Sequence, residues 1–82
     1  MGTTRRPYPR KLARKLKQIR LNLQLSQSEM ANRLGVKDRA SISLYENGKR
    51  EPPLPTLLAY ARSGRFNLES LIDDKMKLAD RH

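Results

Sequence analysis

The fold is decided by residues 26–50, which read SQSEMANRLGVKDRASISLYENGKR. Ser26, followed three residues later by Glu29, forms a capping box, in which each side chain accepts a hydrogen bond from the other residue's backbone N–H. Apolar residues then recur at helical spacing as far as Gly35, which ends the helix because glycine adopts the left-handed conformation without strain. The first half of this stretch therefore predicts a short helix followed by a tight turn.

A second short helix is predicted directly after the turn. Asp38 carries a side chain that caps helix N-termini. Ile42 and Tyr45 lie three residues apart, so they share one inward face of a helix. Gly48 supplies the stop, and the helix is predicted over Arg39–Asn47.

The sequence on either side predicts three more helices, because β-branched residues are too scarce for strands. Helix 1 is predicted over Pro9–Leu21, with proline in the first turn, where its missing N–H has no cost. Its basic residues are expected on the polar faces. Its apolar stripe consists of Leu12, Leu16, Ile19 and Leu23.

Helices 4 and 5 complete the predicted all-α domain. Pro52 and Pro53 interrupt the chain after helix 3, because proline removes a backbone donor and clashes with the preceding turn. Helical spacing resumes at Leu54 and ends near Gly64. Asn67 is predicted to cap helix 5, whose inward residues are Leu68, Leu71 and Ile72.

The composition limits both the size of the protein and its chemistry. The 82 residues make one small domain, and 18 Lys and Arg against 8 acids give a net charge of +10. The absence of Cys excludes a disulfide framework and a thiol nucleophile, and a single histidine, His82, excludes a histidine metal cluster. No apolar run approaches the length of a membrane span. We therefore expect a cytoplasmic protein with no metal, no cofactor, no membrane contact and no enzymatic activity, whose partner is a polyanion such as nucleic acid.

The positive charge is concentrated near the start of the chain. Residues 1–20 hold eight bases and no acid. Residues 1–8 show no periodicity and are expected to form a disordered basic arm, residues 9–74 the folded domain and residues 75–82 a frayed tail. Unpaired charge of one sign favours an anionic partner over a merely solvated face.

Two short helices joined by a glycine-containing turn, inside a basic domain, have the layout of a helix-turn-helix. The stretch resembles the phage-repressor type of this domain, the Cro/CI-like or XRE-type family. The resemblance rests on three motifs: Ser-Gln at the start of helix 2 (26–27), Leu-Gly-Val in the turn (34–36) and Tyr-Glu-Asn-Gly-Lys at the end of helix 3 (45–49). The resemblance covers residues 16–62, and more loosely 12–74. It implies a compact, five-helix, lambda-repressor-like DNA-binding domain.

The resemblance also implies that helix 3 is the recognition helix, which lies in the major groove with its N-terminal residues at base edges. The implied base-reading residues are Arg39, Ala40, Ser43 and Leu44. Arg39 can bond O6 and N7 of guanine together, and Ala40 and Leu44 can contact a thymine methyl. The alternatives are a phosphate contact for Arg39 and passive packing for the other two. The turn before helix 3 is one residue longer than is usual in the family, so the register of Arg39 and Ala40 stays open by one position.

Other matching positions imply phosphate contacts or structural roles. The implied phosphate-binding residues are Gln27, Lys37, Ser41, Asn47, Lys49 and Arg50. The basic arm adds Arg5, Arg6, Arg10 and Lys11, which can follow the backbone or enter a minor groove. For Gln27 the alternative is support of the recognition helix, and for Asn47 a role at the helix end. Arg20 and Glu46 match a family ion pair that ties helix 1 to the end of helix 3. Arg65 stands where the family commonly has glycine, and Gly64 is the alternative residue for that turn.

The resemblance implies a transcriptional regulator that binds a specific sequence of double-stranded DNA, and we expect it to repress transcription. It would act as a homodimer on a two-fold symmetric operator, or as a monomer that dimerises only on DNA. Two alternatives stay open: an antitoxin-type module that binds a toxin or another protein as well as DNA, and a non-specific nucleic-acid-binding protein. The last would show no preference among sequences. The adjacent acids Asp73 and Asp74 fall on different helical faces and are expected to be a solvated helix end.

Overall fold

The computed structural model describes residues 11–73. Within this range the chain forms five α-helices, which confirms the predicted all-helical class. The helices are α1 (Leu12–Asn22), α2 (Gln27–Leu34), α3 (Arg39–Glu46), α4 (Leu54–Gly64) and α5 (Leu68–Ile72). Helix α3 ends one residue earlier than predicted, with Asn47 as its C-cap. The predicted first residue of helix 1, Pro9, lies outside the described range, as do residues 1–8 of the expected arm and residues 75–82 of the expected tail.

One apolar core joins all five helices. It is formed by side chains that are buried almost completely: Leu12, Leu16, Ile19, Met30, Ala31, Ile42, Tyr45, Leu57, Tyr60, Ala61, Phe66 and Leu71. Both α2 and α3 contribute one face to this core, and they pack against each other. Because α3 has a buried face, its opposite face is held outward in a fixed orientation.

Helices α2 and α3 have the N-caps that the sequence predicts. Ser26 Oγ accepts the Glu29 backbone N–H at 3.0 Å, and the Ser26 backbone N–H donates to Glu29 Oε1 at 2.7 Å. These hydrogen bonds hold the pKa of Glu29 below its ordinary value, so the capping box is intact at neutral pH and is lost as acid protonates the carboxylate. At α3, Asp38 Oδ1 accepts the Ser41 backbone N–H at 3.2 Å.

Four of the helices end in the same backbone motif. A residue with positive φ lets the N–H of the next residue reach the carbonyl five positions back, which is the Schellman arrangement. The residues with positive φ are Gln24, Gly35, Gly48 and Arg65. The hydrogen bonds that follow them run from Leu25 to Arg20, Val36 to Ala31, Lys49 to Leu44 and Phe66 to Ala61, at 2.8 to 3.2 Å. Two of these turns therefore carry a side chain where glycine would be unstrained.

The chain turns after α4 at Arg65, and Gly64 does not serve in its place. Arg65 adopts a φ of 62°, whereas Gly64 is the last residue of the helix. A Cβ atom on Gly64 would lie 2.7 Å from Phe66 Cδ2 and 2.9 Å from Ile19 Cγ2. Glycine is thus required at position 64 for space, and the left-handed conformation is left to an arginine.

Substitutions at these two positions are expected to act in opposite directions. Arg65→Gly should raise the free energy of unfolding by about 1 kcal/mol, because it removes left-handed strain. Gly64→Ala should lower it by about 1–3 kcal/mol, because the added methyl group overpacks the core. Urea unfolding measures both, and Gln24→Gly is a matched control that should gain stability as Arg65→Gly does. A loss of stability in both glycine variants would contradict the assignment of strain.

Two expectations about α5 are wrong. Ile72, predicted to face inward, is 42% exposed, because α5 has only five residues and Leu71 takes the buried position. Asn67 precedes the helix, but its side chain makes no capping hydrogen bond. Instead its carbonyl accepts Ser70 Oγ at 2.8 Å. Half-buried Leu68 packs against the core as expected.

Lys15 is also not where the sequence placed it. It was expected on a polar face of helix 1, yet only 6% of it is exposed. It follows Leu12 by three residues and precedes Ile19 by four, so it shares the buried stripe of α1. Its ammonium group donates to the backbone carbonyls of Ser70 and Asp73, the latter at 2.8 Å. Lys15 therefore fastens the C-terminal end of α5 to α1.

Candidate nucleic-acid interface

The outward face of α3 presents the four predicted base-reading residues together. Arg39 and Ala40 are exposed, and Ser43 and Leu44 are half-buried. Ile42 and Tyr45 lie on the opposite face of the same helix and are buried. We call the side chains of Arg39, Ala40, Ser43 and Leu44 the outward face of α3. Its size and shape, one helix with short side chains flanked by an arginine, suit entry into a groove about 12 Å wide.

The loop after α3 brings further polar and basic groups to the same end of the helix. Asn47, Lys49 and Arg50 are all exposed. The Lys49 and Arg50 backbone N–H groups both donate to the Leu44 carbonyl, at 2.9 and 3.3 Å, so the loop backbone is fixed against the helix. Asn47 Nδ2 donates to Ser43 Oγ at 3.2 Å. The described loop is therefore an ordered continuation of α3 rather than a loose connection.

Arg20 and Glu46 form a two-point ion pair between α1 and the end of α3. Arg20 Nε donates to Glu46 Oε2 at 2.7 Å and Arg20 Nη2 donates to Glu46 Oε1 at 3.0 Å. The side chains are only 11% and 3% exposed. Arg20 Nη1 also donates to the Leu25 carbonyl at 2.9 Å, so one guanidinium joins α1, the loop before α2 and α3. This network fixes the angle at which α3 leaves the core.

The opposite charges of Arg20 and Glu46 shift the pKa values of neighbouring groups as well as that of Arg20 itself. The hydrogen bond that Arg20 donates to Glu46 raises the pKa of Arg20, although burial opposes it. Burial raises the pKa of Tyr60 strongly, and the negative charge of Glu46 adds to that effect. Among the residues that the structure describes, the Tyr60 hydroxyl is the buried side-chain polar atom without a hydrogen-bond partner. The pair therefore acts as a structural element beneath the outward face of α3.

The remaining predicted phosphate contacts are placed differently from one another. Gln27 Nε2 donates to Glu46 Oε1 at 3.3 Å, so this side chain is braced against the ion pair. Ser41 donates both its backbone N–H and its hydroxyl to Asp38 Oδ1, at 3.2 and 3.4 Å. Lys37 is exposed in the turn before α3. Lys11, the one arm residue in the described range, is exposed at the start of α1, and Arg5, Arg6 and Arg10 lie outside that range.

Sequence reasoning missed two features of this surface. The contact between Asn47 and Ser43 was not anticipated, although a spacing of four residues on a helix is a sufficient signal. The hydrogen bond from the Ser41 hydroxyl to Asp38 Oδ1 was also missed, although the predicted N-cap already brings Ser41 next to that carboxylate. Both follow from local spacing and could have been found.

Some other kinds of site receive no support from the described part of the chain. None of the helices in residues 11–73 has the length and hydropathy of a membrane span. In the same residues, no group of three or more His, Cys, Asp or Glu side chains is arranged to hold a metal ion.

The fold and this surface define a DNA-binding regulator of the helix-turn-helix class. A family model described as helix-turn-helix matches residues 16–69, which is more than half of the chain. The chain therefore belongs to the helix-turn-helix family. No curated protein sequence matches the chain.

Solved structures of the same fold include several regulators. A chain of the HipA-HipB-O2-O3 complex is 31% identical, with a TM-score of 0.55, over 76% of this chain and 86% of that one. The restriction-modification controller protein C.AhdI from Aeromonas hydrophila is 28% identical, with a TM-score of 0.65, over 74% and 91% of the two chains. The P22 c2 repressor in complex with synthetic operator 9T is 22% identical, with a TM-score of 0.70 over 77% and 94%, and shows similarity of fold alone.

Proposed function

We propose that this protein represses transcription by inserting α3 into the major groove of a specific duplex DNA sequence. The observation that carries the proposal is the outward face of α3, on which exposed Arg39 lies beside small and apolar side chains. The end of this helix is held to α1 by the ion pair between Arg20 and Glu46. Arg39 is positioned at the N-terminus of α3, the end of a recognition helix that meets base edges. We assign Arg39 to a guanine, and Ala40 and Leu44 to thymine methyl groups.

General affinity comes from a second set of residues. Lys37, Asn47, Lys49 and Arg50 are exposed on the turns at the two ends of α3, where phosphates flank a helix in the groove. Gln27 lies at the first position of α2, whose free N–H groups attract phosphate. The Ser41 hydroxyl is directed to a carboxylate, so we give Ser41 to the cap of α3 and not to phosphate. The net charge of +10 predicts steep salt dependence of binding.

Arg39→Ala tests base reading directly. Once a target sequence has been selected from random duplex DNA, the variant is expected to lose about 1–3 kcal/mol of discrimination at one base pair, because only the guanidinium supplies that bidentate contact. Quantitative competition between single-base variants of the target gives the measurement. Arg62→Ala removes the same charge from an exposed position on α4 and should leave every preference unchanged. A uniform loss for Arg39→Ala across all sequences would make Arg39 a phosphate contact.

A second candidate function is binding of a protein partner in addition to DNA. It is favoured by the similarity to a chain of the HipA-HipB-O2-O3 complex, which contains two proteins. The two functions are compatible, because the outward face of α3 occupies only one side of the domain. A stoichiometric protein that co-purifies from the native host, and that is absent when the chain is expressed alone, would support this function.

The proposed function also suggests an oligomeric state and a cellular location for the protein. A homodimer on a two-fold symmetric operator would place two copies of α3 about one helical turn of DNA apart. A regulator of this kind acts where the chromosome lies, so we propose the cytoplasm of a prokaryotic cell. Sedimentation with and without the selected DNA distinguishes a stable dimer from a monomer that pairs only on its site.

A further inference from the structure

The solvent-facing side of α1 carries two positive charges without a counter-charge in the described chain. Arg14 and Lys17 are exposed and three residues apart, so they are neighbours on the helix surface. Within residues 11–73 neither side chain forms an ion pair. Residues 1–28 contain no acid, so the sequence around α1 supplies none. The two like charges therefore repel each other, and a bound anion would relieve that repulsion.

The loop after α3 packs against the same helix and brings two more bases to it. A Cβ atom on Gly48 would lie 3.8 Å from Ala13 Cβ, which is an ordinary van der Waals distance. Lys17 follows Ala13 by one turn of α1, and Lys49 follows Gly48 directly. Four exposed bases thus come from the two segments that meet at this contact, and we call them the α1–loop basic surface: Arg14, Lys17, Lys49 and Arg50.

The acids nearest to this loop in the sequence are already engaged. Glu46 accepts hydrogen bonds from Arg20 on both of its carboxylate oxygens. Glu51 is half-buried and also has an interaction partner. Neither carboxylate is therefore a free negative charge that would repel a phosphate at the α1–loop basic surface.

We infer that the α1–loop basic surface binds the phosphate backbone of the DNA beyond the groove that α3 enters. The inference rests on the proposed function, because α3 in the major groove is what brings the loop to the bordering phosphates. Since the loop packs on α1, the helix continues the line of positive charge away from that border. The contacts of Arg14 and Lys17 add affinity for DNA of any sequence and leave base reading to α3.

The spacing of the bases on α1 suits a DNA strand. Arg14 and Lys17 are about 4.5 Å apart along the helix axis, and one strand carries a phosphate about every 3.4 Å of the DNA axis. Both side chains end in a cationic group on a long stem, so each can meet a different phosphate of one strand.

The salt dependence of binding to the selected DNA tests the inference, with the double variant Arg14→Gln and Lys17→Gln against the wild type. Each lost phosphate contact reduces the slope of log affinity against log salt by about 1, so the double variant should lose about 2. The affinity advantage of the wild type should then shrink by about 10-fold between about 50 and 200 mM salt. Target selection should return the same sequence, and circular dichroism should show the same fold.

Phosphate ethylation interference locates the contacts on the DNA. Interference that is lost with the double variant should fall next to the phosphates at which Lys49→Gln loses interference, and on the same strand. This adjacency is expected because the loop and α1 meet at Gly48 and Ala13. Losses on opposite strands would contradict a continuous surface.

The matched control is the double variant Arg62→Gln and Arg65→Gln, which removes two exposed charges from the end of α4. A Cβ atom on Gly64, between these two arginines, would lie 2.9 Å from Ile19 Cγ2, so this end of α4 packs on the buried side of α1. The control should keep the wild-type slope. An equal reduction in the control would reveal an effect of total charge and would overturn the inference.

Two further results separate the inference from the proposed function. If the wild type selects a target and the slope is unchanged in the Arg14 and Lys17 double variant, both side chains are merely solvated and the inference alone fails. If the wild type selects no sequence at all, the proposed function fails together with the inference.

Discussion

Arg20→Met is expected to lower the free energy of unfolding by about 3–5 kcal/mol, because the buried Glu46 carboxylate would lose its partner. Only 3% of the Glu46 side chain is exposed, so water cannot take over from the two guanidinium hydrogen bonds. The Leu25 carbonyl would lose its donor in the same change. The single core of a domain near this size rarely supplies more than about 3–5 kcal/mol of net stability, so this variant should be largely unfolded near body temperature.

Urea unfolding followed by circular dichroism measures the effect, and Arg14→Met is the matched control on an exposed position of α1. The control should change stability by less than about 0.5 kcal/mol. The double variant Arg20→Met with Glu46→Leu removes both charges and should recover much of the loss, because the cost of an unpaired buried carboxylate disappears. If the double variant is no more stable than Arg20→Met alone, the loss comes from packing and not from the unpaired charge.

The same variants separate stability from DNA binding. Glu46 is the last residue of α3, and the ion pair is a direct side-chain tie between this end of the helix and α1. The double variant has no unpaired buried charge, but it also lacks the ion pair between α1 and the end of α3. Binding to the selected DNA at low temperature should therefore remain weaker than that of the wild type, even where the domain is folded.

The parts of the fold that could be predicted are those determined by neighbours in sequence. The capping box of Ser26 and Glu29 and the glycine at the end of α2 act within one turn of helix, so their residue types suffice. The Arg20 and Glu46 pair joins positions far apart in the chain and followed only from the family resemblance. The sequence did not decide whether Arg65 or Gly64 makes the turn after α4. An arginine with positive φ has no signature in its residue type, and its conformation depends on the tight space around Gly64.

Lys15 shows why charge alone did not locate the basic residues. A lysine in a run of eight bases is expected to face solvent, because burial of an ammonium without a partner is costly. Its partners are backbone carbonyls at the end of α5, more than fifty residues away in the chain. Backbone carbonyls leave no trace in residue types, so the buried position became evident only from the folded chain.

Lys15→Met is therefore expected to lower the free energy of unfolding by about 2 kcal/mol, because the Ser70 and Asp73 carbonyls lose a charged donor while the apolar stem is kept. Thermal and urea unfolding give the magnitude. Hydrogen exchange should show the loss first in α5, which is short and packs mainly against α1 and α4 among the described helices. Lys17→Met removes the same charge from an exposed position of the same helix and should be nearly neutral for stability.

DNA binding distinguishes the two lysines further, because a buried ammonium that is already hydrogen-bonded releases no counterion from DNA. Lys15→Met should leave the slope of log affinity against log salt unchanged in the folded protein, whereas loss of a true phosphate contact reduces that slope by about 1. A reduced slope for Lys15→Met, without a change in stability, would refute its structural role. An unchanged slope would mean that Lys15, like Arg20, contributes to the net charge of +10 but holds the domain together instead of contacting the DNA.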